Sequence, residues 1–322
     1  MISRRGFLLG AAALAGGAAA GAAAPAEEGA TPPAARRRAW RPFSNKSPFN
    51  TPIPPEAPVH PNSAAIIRNL CGDAVPARTR LWVNIERWSI PVHNVPEEGA
   101  VVRTVRCDRK AYSGFEEVTL PVWPGAVPDP LSDAHMVVLD RPNGCAWDFW
   151  GARWRDGQLQ TKAANRVDLA GDGLVPEGGC RLVGFALLAG LIRPEEIAAG
   201  RIDHALVFAY DNLDRSHVWP ASRHAGRRCP PNSIPCGGLV QLDPELDIES
   251  LDLPPAGKMI ARALQEYGMY MSDYAGGLAI YAENPLGRAE DPWPKLGLTT
   301  RSPANIPVER MRVIEPGATR RS

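Results

Sequence analysis

Residues 133–150 read DAHMVVLDRPNGCAWDFW. Two apolar runs flank Pro142-Asn143-Gly144, a turn signature between strand formers, so the stretch predicts a β-hairpin. Side chains alternate faces along a strand, and residues paired across an antiparallel ladder share a face. A turn centred on Asn143-Gly144 would pair Leu139 with Asp148 and Val137 with Trp150. A four-residue loop, Arg141 to Gly144, would pair Val137 with Asp148 and His135 with Trp150. Both loops are even in length, and in both His135, Val137, Asp148 and Trp150 occupy one face. Asp133 joins them if the strand extends that far back, whereas an odd loop would break the set.

Outward from the hairpin, short runs of β-branched and aromatic residues recur between Gly, Pro, Asn and Asp. They include 80–85, 89–95, 101–107 and 116–123 on the N-terminal side. Runs 145–154, 159–169, 204–210, 238–243, 267–274 and 277–283 follow. Two helices are predicted. One spans 185–200 and is interrupted at Pro194, with two glutamates in the turn that follows. The other spans 256–267, with Met259, Ile260, Ala263 and Leu264 on one face and Gly268 as its stop. The fold class expected is mainly β: an antiparallel β-sandwich or jelly-roll-like domain with two or three helical insertions. The domain is expected to run from 47 to 322.

The first 26 residues have the pattern of a twin-arginine export signal. Ser3-Arg4-Arg5-Gly6-Phe7-Leu8 precedes an Ala/Gly-rich stretch that ends in small residues suited to cleavage. Residues 27–46 are polar, Pro-rich and charged, and are expected to form a flexible leader. Location outside the cytoplasm, periplasmic or extracellular, is the expectation. No later run is long and apolar enough for a membrane span. The net charge of +1 carries no basic surplus for nucleic acid. Six cysteines in an exported chain suggest disulfides, with Cys229 and Cys236, which enclose PPNSIP, as the best pair. No C-x-x-C or H-E-x-x-H occurs, so no metal and no cofactor is expected. Nucleophile elbow, P-loop and dinucleotide fingerprints are also missing from the sequence.

The chemistry-bearing residues fall into a few stretches. His135 and Asp148 share the hairpin face, and Asp203-His204 begins another apolar strand. Asp273-Tyr274 follows the second helix. His135 and His204 are candidates for proton transfer, with Asp148 and Asp273 as acid, base or orienting partners. Trp150, Trp219 and Tyr274 are candidate platforms for a sugar ring. Asp133 and Arg181 are candidates for polar contacts to it.

Taken together, several of these pieces resemble a family of secreted proteins of soil bacteria. The pieces are Asp133 to Asp140, the aromatic return strand, Leu187 to Arg193, Gly200 to Leu206, Val218 to Ala221, and Tyr267-Gly268-Met269 leading to Asp273. The family often has Tyr-Glu-Leu-Tyr where this chain has Trp147-Asp148-Phe149-Trp150. It also often carries a Ser-Ala-Asp motif where this chain reads Cys180 to Phe185 without an acid. The resemblance implies a secreted, β-rich protein and no particular reaction. The residues themselves point to a carbohydrate-active enzyme, a polysaccharide lyase or glycoside hydrolase acting on a polysaccharide or other glycan. The alternative is a glycan-binding or envelope protein that uses the same wall without catalysis.

Overall fold

The computed structural model describes residues 39–71, 80–98, 101–113, 115–226, 231–316 and 320–321. The export segment and residues 27–38 of the leader lie outside these. The hairpin forms as strands Met136–Asp140 and Cys145–Trp150. Its register pairs Val137 with Asp148 and Met136 with Phe149, which is the four-residue-loop alternative. Asp140 fixes the turn by accepting hydrogen bonds from the Asn143 backbone N–H and side-chain amide. Gly144 takes the left-handed conformation, φ 65°, that closes it.

Strands dominate, as expected, and are arranged in several mixed sheets of which none closes into a barrel. The hairpin lies in a five-stranded sheet ordered Glu283–Asn284, Ile90–Asn94, Met136–Asp140, Cys145–Trp150, Ala163–Asp168. Its first two pairings are parallel and its last two antiparallel. A six-stranded sheet runs Trp82–Asn84, Ala279–Tyr281, Leu206–Tyr210, Met269–Tyr274, Leu239–Leu242, Met311–Val313. It too mixes parallel and antiparallel pairs. The purely antiparallel pairing expected therefore holds only within parts of each sheet. A four-stranded sheet and a three-stranded one complete the described strands.

Both faces of the hairpin are buried, which explains its nearly continuous apolar runs. Val137, Leu139 and Ala146 join the large core with Leu187, Leu191 and Phe208. Met136, Val138, Trp147 and Phe149 pack instead with Val105, Leu120 and Leu159 of the four-stranded sheet. The hairpin sheet is thus sandwiched. Each fully buried side chain of this size contributes about 1.5–3 kcal/mol of apolar transfer energy.

The second predicted helix forms as Pro255–Glu266, with Pro at its first turn and Ala256, Ile260, Ala263 and Leu264 buried. Of the first, only Pro194–Ala199 is helical. Residues 185–191 are non-helical because tertiary partners take their backbone groups. The Leu187 N–H donates to Asp148 Oδ2 at 2.7 Å, and Arg181 Nη1 donates to the carbonyls of Ala186 and Ala189. Gly190 lies so close to the strand Leu206–Tyr210 that a Cβ there would meet the Val207 nitrogen at 2.5 Å.

Two expectations are corrected. The leader does not extend to Lys46: Phe43 is buried in the large core, and Arg41 donates to the Asp203 carbonyl at 2.7 Å. No disulfide forms among the described residues. Cys107, Cys145, Cys180 and Cys236 are buried free thiols. Cys229 lies outside the described residues, and the Cys236 sulfur points into the core, where it receives the Ala225 N–H. Among the described residues no helix is long and apolar enough to cross a membrane.

Candidate active site

Two of the short crossings between the two large sheets are at residues 85–89 and at Ala282. Beside these crossings opens a cleft of about 790 Å³. Six of the residues expected from sequence line it: Asp133, His135, Trp150, Arg181, Asp273 and Tyr274. They come from the hairpin, from the loop at 179–182 and from the end of strand Met269–Tyr274. Trp82, Asn84, Trp88 and Tyr281 also line the cleft, and Tyr112 lies beside Trp150.

The parity argument explains why His135 and Trp150 arrive together: continuing the observed register places them opposite one another at the open end of the hairpin. Ala134, two residues before the strand, adopts φ 42°, a left-handed conformation unfavourable for a residue with a Cβ. The kink is held by backbone bonds on either side, from Gly151 N–H to the Asp133 carbonyl and from Ala152 N–H to the Ala134 carbonyl. It turns the chain so that Asp133 joins His135 in the cleft.

His135 Nε2 lies 3.0 Å from the Cys180 carbonyl. A carbonyl only accepts, so Nε2 carries the proton and Nδ1 is the ring's acceptor. Burial pushes the imidazole down to about 4, opposed by Asp133 and assisted by Arg181. The ring is therefore neutral near pH 7. The carbonyl it meets is positioned by Asn165, whose Oδ1 accepts the N–H groups of Gly179 and Cys180 and whose amide donates to the Tyr112 carbonyl. The Cys180 thiol itself is turned away, donating to the Asp148 carbonyl at 3.2 Å, and burial holds its pKa high. It is not a nucleophile here.

Asp273 is half-buried and accepts the Tyr274 N–H at 2.8 Å. Burial pushes its carboxyl up to about 6; the Tyr274 N–H and Arg181 partly offset this, and the Asp133 charge adds to it. A carboxyl at that level holds a proton in mildly acidic solution and releases it near neutrality, as a general acid must. Arg181 is buried, its guanidinium 5.6 Å from the Tyr281 ring centre. Burial also raises the Tyr281 hydroxyl pKa, with the Asp273 charge adding to the effect.

Three expected site residues do not belong to the cleft. Asp148 has the predicted face but lies one ladder step deeper, beneath Arg181. It is 1% exposed, with Oδ2 on the Leu187 N–H and no partner for Oδ1. Burial pushes it up to about 7, with the Leu187 N–H and Arg181 opposing. It supports the wall instead of touching a ligand. His204 is buried elsewhere: Nε2 meets Glu196 Oε1 at 3.0 Å and Nδ1 faces the Ala205 carbonyl. Both ring nitrogens are used, so it is a structural histidine. Trp219 is 64% exposed and does not line the cleft. Trp150 lines it, but Arg109 and Lys162 lie over its ring at 5.5 and 4.8 Å, so the indole is shared with two cations.

Sequence reasoning missed Trp82, Asn84, Trp88 and Tyr281. Nothing local marks them: Trp82, Asn84 and Tyr281 reach the cleft through pairing between strands distant in sequence, and Trp88 through the bend that follows Asn84. Trp88 has one retrospective signal: 45% exposed and at φ 55°, it is an aromatic residue held in a strained conformation on the surface. Among the described residues, no group of three or more His, Cys, Asp or Glu side chains is arranged to hold a metal ion.

Fold and site together define a strand-rich domain whose cleft is lined by one histidine, two carboxylates, a buried arginine and several aromatic residues. The chain matches no protein-family model, no curated protein and no solved structure.

Proposed function

We propose that this chain is an exported carbohydrate-active enzyme that hydrolyses glycosidic bonds in the cleft. The observation that carries the proposal is the convergence of Asp133, His135, Asp273 and Arg181 on one cavity walled by Trp82, Trp88, Tyr274 and Tyr281. Aromatic faces pack against sugar rings, and paired carboxylates supply the two proton-handling groups that glycoside hydrolysis needs. Asp273 gives its proton to the glycosidic oxygen as the bond from that oxygen to the anomeric carbon breaks. A water oxygen bonds to the anomeric carbon, and its proton passes to Asp133. His135 Nδ1 accepts a hydrogen bond from a sugar hydroxyl. The export pattern of residues 1–26 and the resemblance to secreted proteins support an extracytoplasmic site of action.

Hydrolysis fits better than elimination. A lyase must bind a uronate carboxylate and neutralise it. Arg181, the one guanidinium among the lining residues, is buried and already engaged by Tyr281, Asp273 and Asp148.

The test is incubation of the purified protein with neutral and uronate polysaccharides, following reducing ends and the absorbance of unsaturated uronates. New reducing ends without that absorbance are expected, with D273N and D133N each losing at least about 100-fold in rate. Unsaturated products would show elimination instead. Retention on a glycan with no product would make the chain a binding protein.

A further inference from the structure

A second cavity, of about 690 Å³, lies against the first. Asn84 and Trp88 line both. Trp88 is therefore a step between two chambers, each within the roughly 300–1,000 Å³ that holds a small ligand. The far chamber is polar at its rim, with Glu86, Arg87, Asp291 and Thr300, and has the buried Trp293 at its floor.

The step is built to stay in place. Asn84 donates its side-chain amide to the Trp88 carbonyl at 3.4 Å. Ser89, 1% exposed, donates its hydroxyl to the Ala282 carbonyl, and its N–H meets Asp129 Oδ2 at 3.5 Å. Asn284, also 1% exposed, donates to both the Glu86 carbonyl and Asp129 Oδ2. Buried side chains thus clamp the backbone on both sides of Trp88. They hold it at φ 55°, a left-handed conformation unfavourable for a residue with a Cβ. A strained and clamped loop that presents an exposed indole between two cavities is organised around that indole.

We propose that the second chamber is a sugar-binding subsite. One neutral glycan chain would lie across Trp88 with sugar units in both chambers, and bonds within chains would be cut. The inference rests on the hydrolase assignment above and extends it to the form of the substrate. The charge of the far chamber agrees: it is lined by two carboxylates (Glu86, Asp291) and one guanidinium (Arg87). That lining disfavours a polyuronate. The Trp88 indole offers its face to the sugar at the step, and the rim residues offer hydrogen bonds to hydroxyls beyond it.

The experiment uses di- to hexasaccharide ladders of cello-, xylo- and malto-oligosaccharides, with oligogalacturonides as the acidic arm. Cleavage rate and equilibrium binding by tryptophan fluorescence are both measured. The double variant E86A/R87A changes only exposed far-chamber residues. For one neutral ladder, wild-type kcat/KM is expected to rise at least about tenfold from the shortest cleaved oligomer to the hexamer. E86A/R87A should lower the hexamer value about tenfold and leave the shortest oligomer unchanged. W88A should weaken hexamer binding in parallel. Cleavage that is independent of length and unaffected in E86A/R87A would overturn the second subsite and leave the hydrolase standing. Binding that grows with length and falls in the variants, without cleavage, would keep the groove and overturn the hydrolase. Preference for the acidic ladder would overturn the neutral-glycan assignment, and neither binding nor cleavage of any ladder would overturn both.

Discussion

Glu196 is the residue whose replacement most directly tests the structural assignment of His204. It is 2% exposed, and Oε1 accepts from Arg193 Nη2 at 2.5 Å and from His204 Nε2 at 3.0 Å, while Oε2 accepts the Arg193 N–H. Burial alone would raise this carboxyl, yet Arg193 and His204 hold it down to about 2. A carboxyl held at about 2 instead of 4.5 contributes about 3 kcal/mol at neutral pH. Breaking a buried ion pair by neutralising one partner costs about 3–5 kcal/mol, an independent figure of the same size. The variant E196Q preserves shape and removes the charge, so a loss of about 3 kcal/mol is expected at pH 7. The sign with pH follows from the lowered value. The contribution is complete above about pH 4.5 and vanishes as the pH falls towards 2, so E196Q and wild type should converge in acid. Urea unfolding followed by tryptophan fluorescence at pH 7 and pH 3 measures both points. A difference below about 0.5 kcal/mol at pH 7 would refute the reasoning, as would a difference that widens in acid. If His204 is structural, folded E196Q should still bind the glycan that wild type binds.

Asp148 should behave in the opposite sense. Its carboxyl is raised from 3.8 to about 7, so it favours the folded state below about pH 4, and stability is lost as the pH rises towards 7. D148N, whose amide oxygen can still accept the Leu187 N–H, should be the more stable protein at pH 8 by up to about 4 kcal/mol, on the order of the full shift; equal stability at pH 8 would refute the assignment. In the cleft, NMR titration should find His135 ionising near 4. D133N should lower both His135 and Asp273, because the Asp133 charge raises each. An upward movement of either in D133N would contradict the cleft geometry.

The sequence carried much of the fold where local periodicity decides. The alternation in 133–150 restricted the hairpin to a register parity that holds in the structure, and the apolar face of 256–267 gave a helix within a residue of its observed ends. It failed at 185–191, where an apolar run resembles a buried helix. Asp148, 39 residues away, and the Arg181 side chain take backbone groups that a helix would have paired internally, and local periodicity shows neither. The same limit applies to the site. Asp133, His135, Trp150, Asp273 and Tyr274 were legible from residue type beside strand ends, and Arg181 as a cation in a loop. Whether an acid one ladder step away reaches the surface was not, and Asp148 lies beneath the wall. His204 looked equivalent to His135 in its Asp-x-His or Asp-His setting, and only the partner Glu196 distinguishes them.

The turn Arg141–Gly144 has a consequence for how such a chain can change its length. Adding or deleting a single residue there would reverse the facing of one hairpin strand relative to the other. His135 and Trp150 would then no longer share a wall, and Asp148 would exchange its place under Arg181 for the opposite core. Length changes by two residues preserve the arrangement. Among descendants that keep the cleft, insertions and deletions in this turn are therefore expected in even steps, a constraint imposed by strand geometry and independent of which amino acids the turn contains.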